Sequence, residues 1–257
     1  MRNSIITIAA ALGLFATTAA YGQDAPVETE SQARARALLD GTDDMHKGAS
    51  SYSKVTMHVK TARWDRTLTM EGWSQGEEHS LTKILSPAKE AGMATLKVED
   101  NIWNYLPKVD RTMKVPAGMM SGSWMGSHFT NDDLVKESRM ADDFDFDLTS
   151  EPAADGTGEY VIECVAREDA AVVWGKIVVK LRPDEQPTEI TYWDEDGELV
   201  RTMSFTDYKE ADGRMIAGRM KLVPADEPDE FTEIVYDEID FDVEIPEGTF
   251  TIQALKN

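Results

Sequence analysis

The residues able to do chemistry form no pattern that would let them act together. His46, His58, His79 and His128 fall on different expected elements, and no two share a metal-ligand spacing, so each reads as a lone exposed side chain. Cys164 is the only cysteine, which excludes an internal disulfide. Within Y-V-I-E-C-V-A it reads as a small buried hydrophobe on a strand. Asp194-Glu195-Asp196-Gly197 fails as a calcium loop: with Gly197 in sixth place, Tyr192 would be first and Met203 twelfth. The acidic run Asp142 to Asp147 alternates with Phe144 and Phe146, as the wet face of a strand does. Nucleophile-elbow, phosphate-loop and zinc-protease patterns are absent, and no acid–base pair stands out from the many carboxylates. The expectation is a protein with no catalytic residues, no metal and no cofactor. An acidic hydrolase is the remote alternative, to be revived only if one carboxylate proves essential.

The other feature with chemical meaning is apolar. Met113 to Leu134 reads M-K-V-P-A-G-M-M-S-G-S-W-M-G-S-H-F-T-N-D-D-L. Gly118, Gly122 and Gly126 break any strand alternation and weaken any helix. What remains is a flexible loop or broken helix carrying Met113, Met119, Met120, Trp124, Met125 and Phe129. Methionine adapts to irregular partners, so the stretch is either a core plug or a lid over an apolar ligand site. Its partners across such a site would be Trp103 or Tyr105, or else Ile102 and Leu106, because both faces of Ile102 to Leu106 are apolar.

The elements that would position these residues are mostly strands. Ser31 to Lys47 predicts a helix with Ala33, Ala37, Leu38 and Met45 on its apolar side. Strand alternation then follows at Val55 to Val59, Thr67 to Trp73, Leu81 to Leu85, Met93 to Glu99, Ile102 to Leu106 and Arg111 to Val115. Thr130 caps a short helix expected to end near Ser138. Phe144 to Leu148, Tyr160 to Ala166, Lys176 to Arg182, Thr188 to Trp193, Leu199 to Tyr208 and Met215 to Val223 continue the strands. Phe231 to Tyr236 and Ile239 to Ile245 close the chain as two more. Asp196-Gly197 and Asp212-Gly213 are hairpin turns. About eleven to thirteen strands in sequential hairpins predict a mainly β fold. It would be a single large curved antiparallel sheet, a half-open barrel, with a few helices over its concave face.

Residues 1–22 read as a cleaved secretory signal: Arg2, an apolar run from Ile5 to Phe15, then Ala20-Tyr21-Gly22. Residues 23–257 form the expected domain. No lipid-attachment cysteine follows the cleavage site, so the expected product is periplasmic and not lipid-anchored. A net charge of −22 argues against nucleic acid as a partner.

Two central motifs carry a family likeness: I-W-N-Y-L-P-K-V-D-R-T-M-K-V-P at Ile102 to Pro116, and G-S-W-M-G-S-H-F-T-N-D-D-L at Gly122 to Leu134. K-I-L-S-P-A-K-E-A-G-M at Lys83 to Met93 and V-E-I-P-E-G-T-F-T at Val243 to Thr251 extend it. In these the chain resembles the outer-membrane lipoprotein-sorting proteins, the LolA/LolB-like superfamily, in a secreted and uncharacterised branch. The resemblance implies a half-open barrel with an apolar cavity for acyl chains. It also implies an arginine that reports cavity closure, which the sequence does not place among Arg63, Arg66 and Arg111. The expected function is periplasmic carriage of a lipid or the acyl chains of a lipoprotein toward the outer membrane, with an inner-membrane transporter as a candidate partner. The alternative is a non-enzymatic interaction or sensor module that docks on an envelope transporter or a signalling receptor.

Overall fold

In the computed structural model, residues 29–46, 48–136, 143–168, 170 and 172–256 are described. The leader read at residues 1–22 and the expected helix end near Ser138 lie outside them.

Thirteen antiparallel strands make one open, curved sheet. The first meander comprises β1 (Ser50–Lys60), β2 (Asp65–Gln75), β3 (His79–Ser86), β4 (Ala94–Val98), β5 (Asn101–Leu106) and β6 (Arg111–Lys114). It runs from the middle of the sheet to one edge. The second starts at the opposite edge. It comprises β7 (Phe144–Ser150), β8 (Tyr160–Ala166), β9 (Lys176–Leu181), β10 (Pro187–Trp193), β11 (Leu199–Ala211), β12 (Arg214–Pro224) and β13 (Phe231–Phe241). It returns to the middle, where β13 pairs with β1. Local turn chemistry explains each meander. Between β11 and β12, Asp212 (φ 50°) and Gly213 (φ 76°) both take the positive φ that a two-residue I′ turn needs.

One connection is not local. Residues 115–132, the methionine-rich stretch, join β6 at one edge to α2 (Asp133–Lys136) on the way to β7 at the other edge. This strap therefore crosses the sheet. It shares the inner core with α1 (Glu30–Asp44): Leu38 and Leu39 of α1, Trp124 and Phe129 of the strap, and Met57 and Met203 of the strands belong to one buried cluster.

Three details differ from the sequence expectation. On α1 it is Ala35, Leu38, Leu39 and Met45 that are buried, while Ala33 and Ala37 are exposed. The spacing 35, 38, 39 makes the face, and the small alanines on the neighbouring stripe tolerate water. The helix begins where Thr29 and Gln32 form a capping box. The last two expected strands are one, β13. Lys54 pairs with Glu238 and Val55 with Tyr236, which leaves Asp237 as an extra residue. That bulge resets the alternation, so Tyr236 and Ile239 both face inward at odd spacing, and the pattern imitates two strands.

The outer face has its own small core. Leu81, Ala94, Leu96 and Leu255 are buried there, with Trp73, Trp103, Tyr105 and Phe250 packed against them. The C-terminal segment supplies Phe250 and Leu255, and Lys256 Nζ fastens it to Asp110 at 2.8 Å. Ile102, on the opposite side of β5, is 1% exposed. Both faces of β5 are thus covered, as its doubled apolar pattern requires.

Candidate functional site

A cavity forms where inward side chains are small. Along one row of the sheet Ser51 pairs with Ser74, Ser74 with Ser80, and Ser80 with Lys97. The next row on the same face reads Ser53, Gly72, Thr82 and Thr95. The large residues between them, Tyr52, Trp73, Leu81 and Leu96, point the other way by strand alternation. Elsewhere the inner face holds residues such as Met57, Leu68 and Met70. Replacing such bulk with Ser, Gly and Thr on adjacent strands leaves a space of about 280 Å³. Its sheet wall is polar. The facing wall is largely apolar, with Met45 of α1, Phe129 of the strap, and Ile190, Met203, Phe205 and Met220 of the second meander. Lys97 is only 6% exposed, and its Nζ donates to the Glu77 carbonyl at 2.5 Å. The Ser51 and Ser74 hydroxyls lie 2.7 Å apart.

A second cavity, about 750 Å³, lies against the earlier part of the strap. Ile84, Met93, Leu106, Met113 and Met125 line it, together with Arg66 and Glu90. Arg66 donates one nitrogen to Glu90 at 2.8 Å and another to the Met125 carbonyl of the strap. Arg66 Nε and Glu90 Oε2 are shut from solvent without a partner, so this is an incompletely satisfied polar pair in a cavity wall.

The strap is held down by directional bonds at points along its length. Trp124 Nε1 donates to Thr95 Oγ1 at 3.1 Å. The His128 backbone N–H donates to Thr232 Oγ1 at 2.9 Å, and its ring lies against Thr232 and, at 3.2 Å, Glu230. The Ala62 N–H, and to a lesser extent His128, hold the Glu230 carboxyl below its usual range, while a hydrogen bond to Glu230 raises Glu227. At the far end Asp133 makes two 2.7 Å bonds to Arg201, and their side chains are 6% and 5% exposed. The guanidinium sits over Tyr192 (4.1 Å) and Trp174 (4.4 Å). Asp133 also accepts from the Thr130 N–H, and the Thr130 hydroxyl accepts from the Asp133 N–H, which fixes the start of α2.

None of the histidines is the lone exposed residue expected. His128 is enclosed as described, and His46 stacks on Tyr236 at 4.2 Å and reaches the Ala217 carbonyl at 2.8 Å. His58 meets Asp65 at 2.6 Å, and His79 lies against Phe250. For His46, His79 and His128 the cause is long-range, since their partners come from the second meander or the C-terminal segment, whereas His58 meets Asp65 across the first hairpin.

The sequence-derived site residues separate into groups. Met113, Met125 and Tyr105 line the larger cavity, and Phe129 lines the smaller. Trp124 is 6% exposed in the inner core. Met119 is 63% exposed, and Met120 is half-buried. Trp103 packs in the outer cluster beside Leu255. Sequence reasoning missed the serine rows, Lys97 and the Asp133–Arg201 pair. A signal for the rows was present: S51-Y-S53, G72-W-S74 and S80-L-T82 repeat one small–large–small triplet on three successive strands. Among Arg63, Arg66 and Arg111, Arg66 is the one shown bonding to the strap.

Comparison with known proteins gives this geometry a family. A family model described as "Uncharacterized protein"-like matches residues 76–257. The chain belongs to that family. No curated protein matches the sequence. Among solved structures, this family member is similar to a DUF1329 family protein from Desulfovibrio piger, at 22% identity and TM-score 0.78 over 88% of this chain and 100% of that one. It is similar to a proposed outer membrane lipoprotein-sorting protein domain from Vibrio parahaemolyticus, at 22% identity and TM-score 0.71 over 86% and 97%. It is similar also to a LolA superfamily protein from Nitrosomonas europaea, at 20% identity and TM-score 0.70 over 86% and 98%. These likenesses show that the family member has the LolA-like fold. Among its described residues no helix is long and apolar enough to cross a membrane.

Proposed function

We propose that this protein is an exported, periplasmic carrier that shelters acyl chains of a lipid or lipoprotein beneath the strap and passes them toward the outer membrane. The observation that carries the reading is the strap. It lies over the inner face from the β6 edge towards the second meander, is fastened by a few polar bonds besides the buried Trp124 and Phe129, and has a partly apolar cavity against its earlier part and another at Phe129. Bonds of this kind contribute about 1 kcal/mol net apiece, so each can open without unfolding the sheet. The likeness to a lipoprotein-sorting domain supports the same reading. A buried methylene is worth about 0.8 kcal/mol, so twelve of them gain roughly 10 kcal/mol gross, enough to hold cargo without covalent attachment. Such carriage requires no reaction, and an inner-membrane transporter is the partner that would load it. Native mass spectrometry and lipid extraction of protein purified from its own envelope test the proposal. The expected result is a co-purifying lipid or lipopeptide. Protein that is always empty and ignores added lipid and lipopeptide would overturn it.

A further inference from the structure

We propose that the turns β1–β2, β3–β4 and β5–β6 form a docking surface for a membrane of anionic phospholipid, at the mouth of the 750 Å³ cavity.

Topology gathers these turns. The first meander is antiparallel throughout, so residues 61–64, 87–93 and 107–110 come to one end of it, and residues 76–78 and 99–100 to the other. Gly92 of the second turn lies against Pro107 of the third. Charge is sorted between the two ends. The far turns carry Glu77, Glu78, Glu99 and Asp100 and no basic residue. The near turns carry Arg63, Lys89 and Lys108, all exposed. The two carboxylates of the near turns are matched: Glu90 meets Arg66 and Asp110 meets Lys256, each at 2.8 Å. In a chain of net charge −22 these tips run against the prevailing sign.

Apolar side chains stand among the cations. Val109, in the third turn, is 66% exposed, and Trp64, at the end of the first, is 44% exposed. Leu85 and Met113, on the strands beside the turns, are also exposed. Tryptophan beside lysine and arginine suits the headgroup layer, where the ring meets lipid and the cations meet phosphate. A protein partner would be met by a central apolar anchor within a polar rim. Here the apolar groups are scattered among cations over three turns, an arrangement that a fluid lipid surface accepts. Trp64, Lys89 and Met113 also line the larger cavity, so its mouth would face a docked membrane. Two turns of the second meander at the same end, residues 194–198 and 225–230, are acidic and bound the patch. Contact is therefore confined to the first meander.

Flotation with vesicles tests the proposal. Protein purified from its own envelope is mixed with vesicles of phosphatidylcholine alone, or of phosphatidylcholine and phosphatidylglycerol in equal parts. Binding is expected only to the second kind, and added sodium chloride should reverse it. Each basic residue near an anionic surface is worth about fivefold in affinity, so Arg63→Glu with Lys108→Glu should weaken binding by at least about tenfold. Neither side chain lines a cavity described above, so uptake of an apolar fluorescent probe by that variant should be unchanged. Val109→Ser should weaken vesicle binding without disturbing the fold, since the side chain is exposed. The control is Lys54→Glu with Arg214→Glu, an equal charge change away from these turns. Wild-type protein that ignores the phosphatidylglycerol vesicles would overturn the inference, and that comparison needs no variant. Equal weakening by the two double variants would overturn it too, because the vesicles would then be sensing net charge alone. Vesicle binding by protein that is always empty of cargo would uphold docking and sink the carrier reading. Cargo in protein that ignores both kinds of vesicle would do the reverse.

Discussion

Arg201 and Asp133 are two ions removed from water, and breaking such a pair differs from replacing it. Both oxygens of Asp133 meet guanidinium nitrogens at 2.7 Å, and two aromatic rings cover the guanidinium. Planarity and stacking make this a site for arginine and not lysine. Arg201→Met strands a buried carboxylate and should lower stability by about 3–5 kcal/mol. Arg201→Met with Asp133→Leu should recover most of that loss, because no uncompensated charge remains. Urea unfolding of the three proteins checks this. If the single and double variants are equally weak, the loss comes from packing of the arginine stem rather than from the stranded charge. The pair was illegible in the sequence because Asp133 looks like any residue of an acidic helix start. Its partner stands 68 residues away on the second meander.

At the scale of elements, the strands were legible and the strap was half legible. Strand positions follow from period-two alternation and from Gly and Asp turns, which are local. Failure of both periodicities marked residues 113–134 as irregular and apolar, which is also local. That the stretch leaves the β6 edge and runs over the sheet to reach β13 and β11 follows from strand order, which no window of sequence contains. The inward direction of the serine rows was hidden for a similar reason. Tyr52, Trp73 and Leu81 are the large members of their triplets, and a default reading turns large residues inward. Here they face outward, and Trp73 and Leu81 belong to the small core that Phe250 and Leu255 complete. Within the strap, exposure separates anchors from free positions. Trp124→Ala should cost about 3–5 kcal/mol, because a buried core aromatic is lost. Met119→Ala, at 63% exposure, should change stability by less than about 0.5 kcal/mol. Met125→Ala should reduce binding of an apolar fluorescent probe while costing less stability than Trp124→Ala, because Met125 is only partly buried and lines the larger cavity. Melting curves and probe titrations on the three variants decide it. Probe binding per folded molecule untouched in Met125→Ala would make the strap a static plug.

The whole sequence carries 48 acidic and 26 basic side chains, and the inner and outer cores of the sheet are apolar, so the excess charge of the described residues lies toward solvent. Two electrostatic effects then oppose each other as salt is added. Exposed pairs such as Lys54–Glu238 and Arg167–Asp145 lose attraction, but each is worth only about 0–1 kcal/mol at the outset. Repulsion among the unmatched carboxylates is spread over the molecule, and distance makes it more sensitive to screening. The Debye length shrinks from about 30 Å at 0.01 M salt to about 8 Å at 0.15 M, so most long-range repulsion is lost over that interval. The buried Arg201–Asp133 pair is shielded from the same ions. Repulsion should dominate, and the melting temperature should rise as sodium chloride increases over that range, then flatten. The rise should be kept in Lys97→Met, since it belongs to the net charge and not to one residue. A melting temperature that falls with salt would mean that the exposed ion pairs outweigh the excess of negative charge.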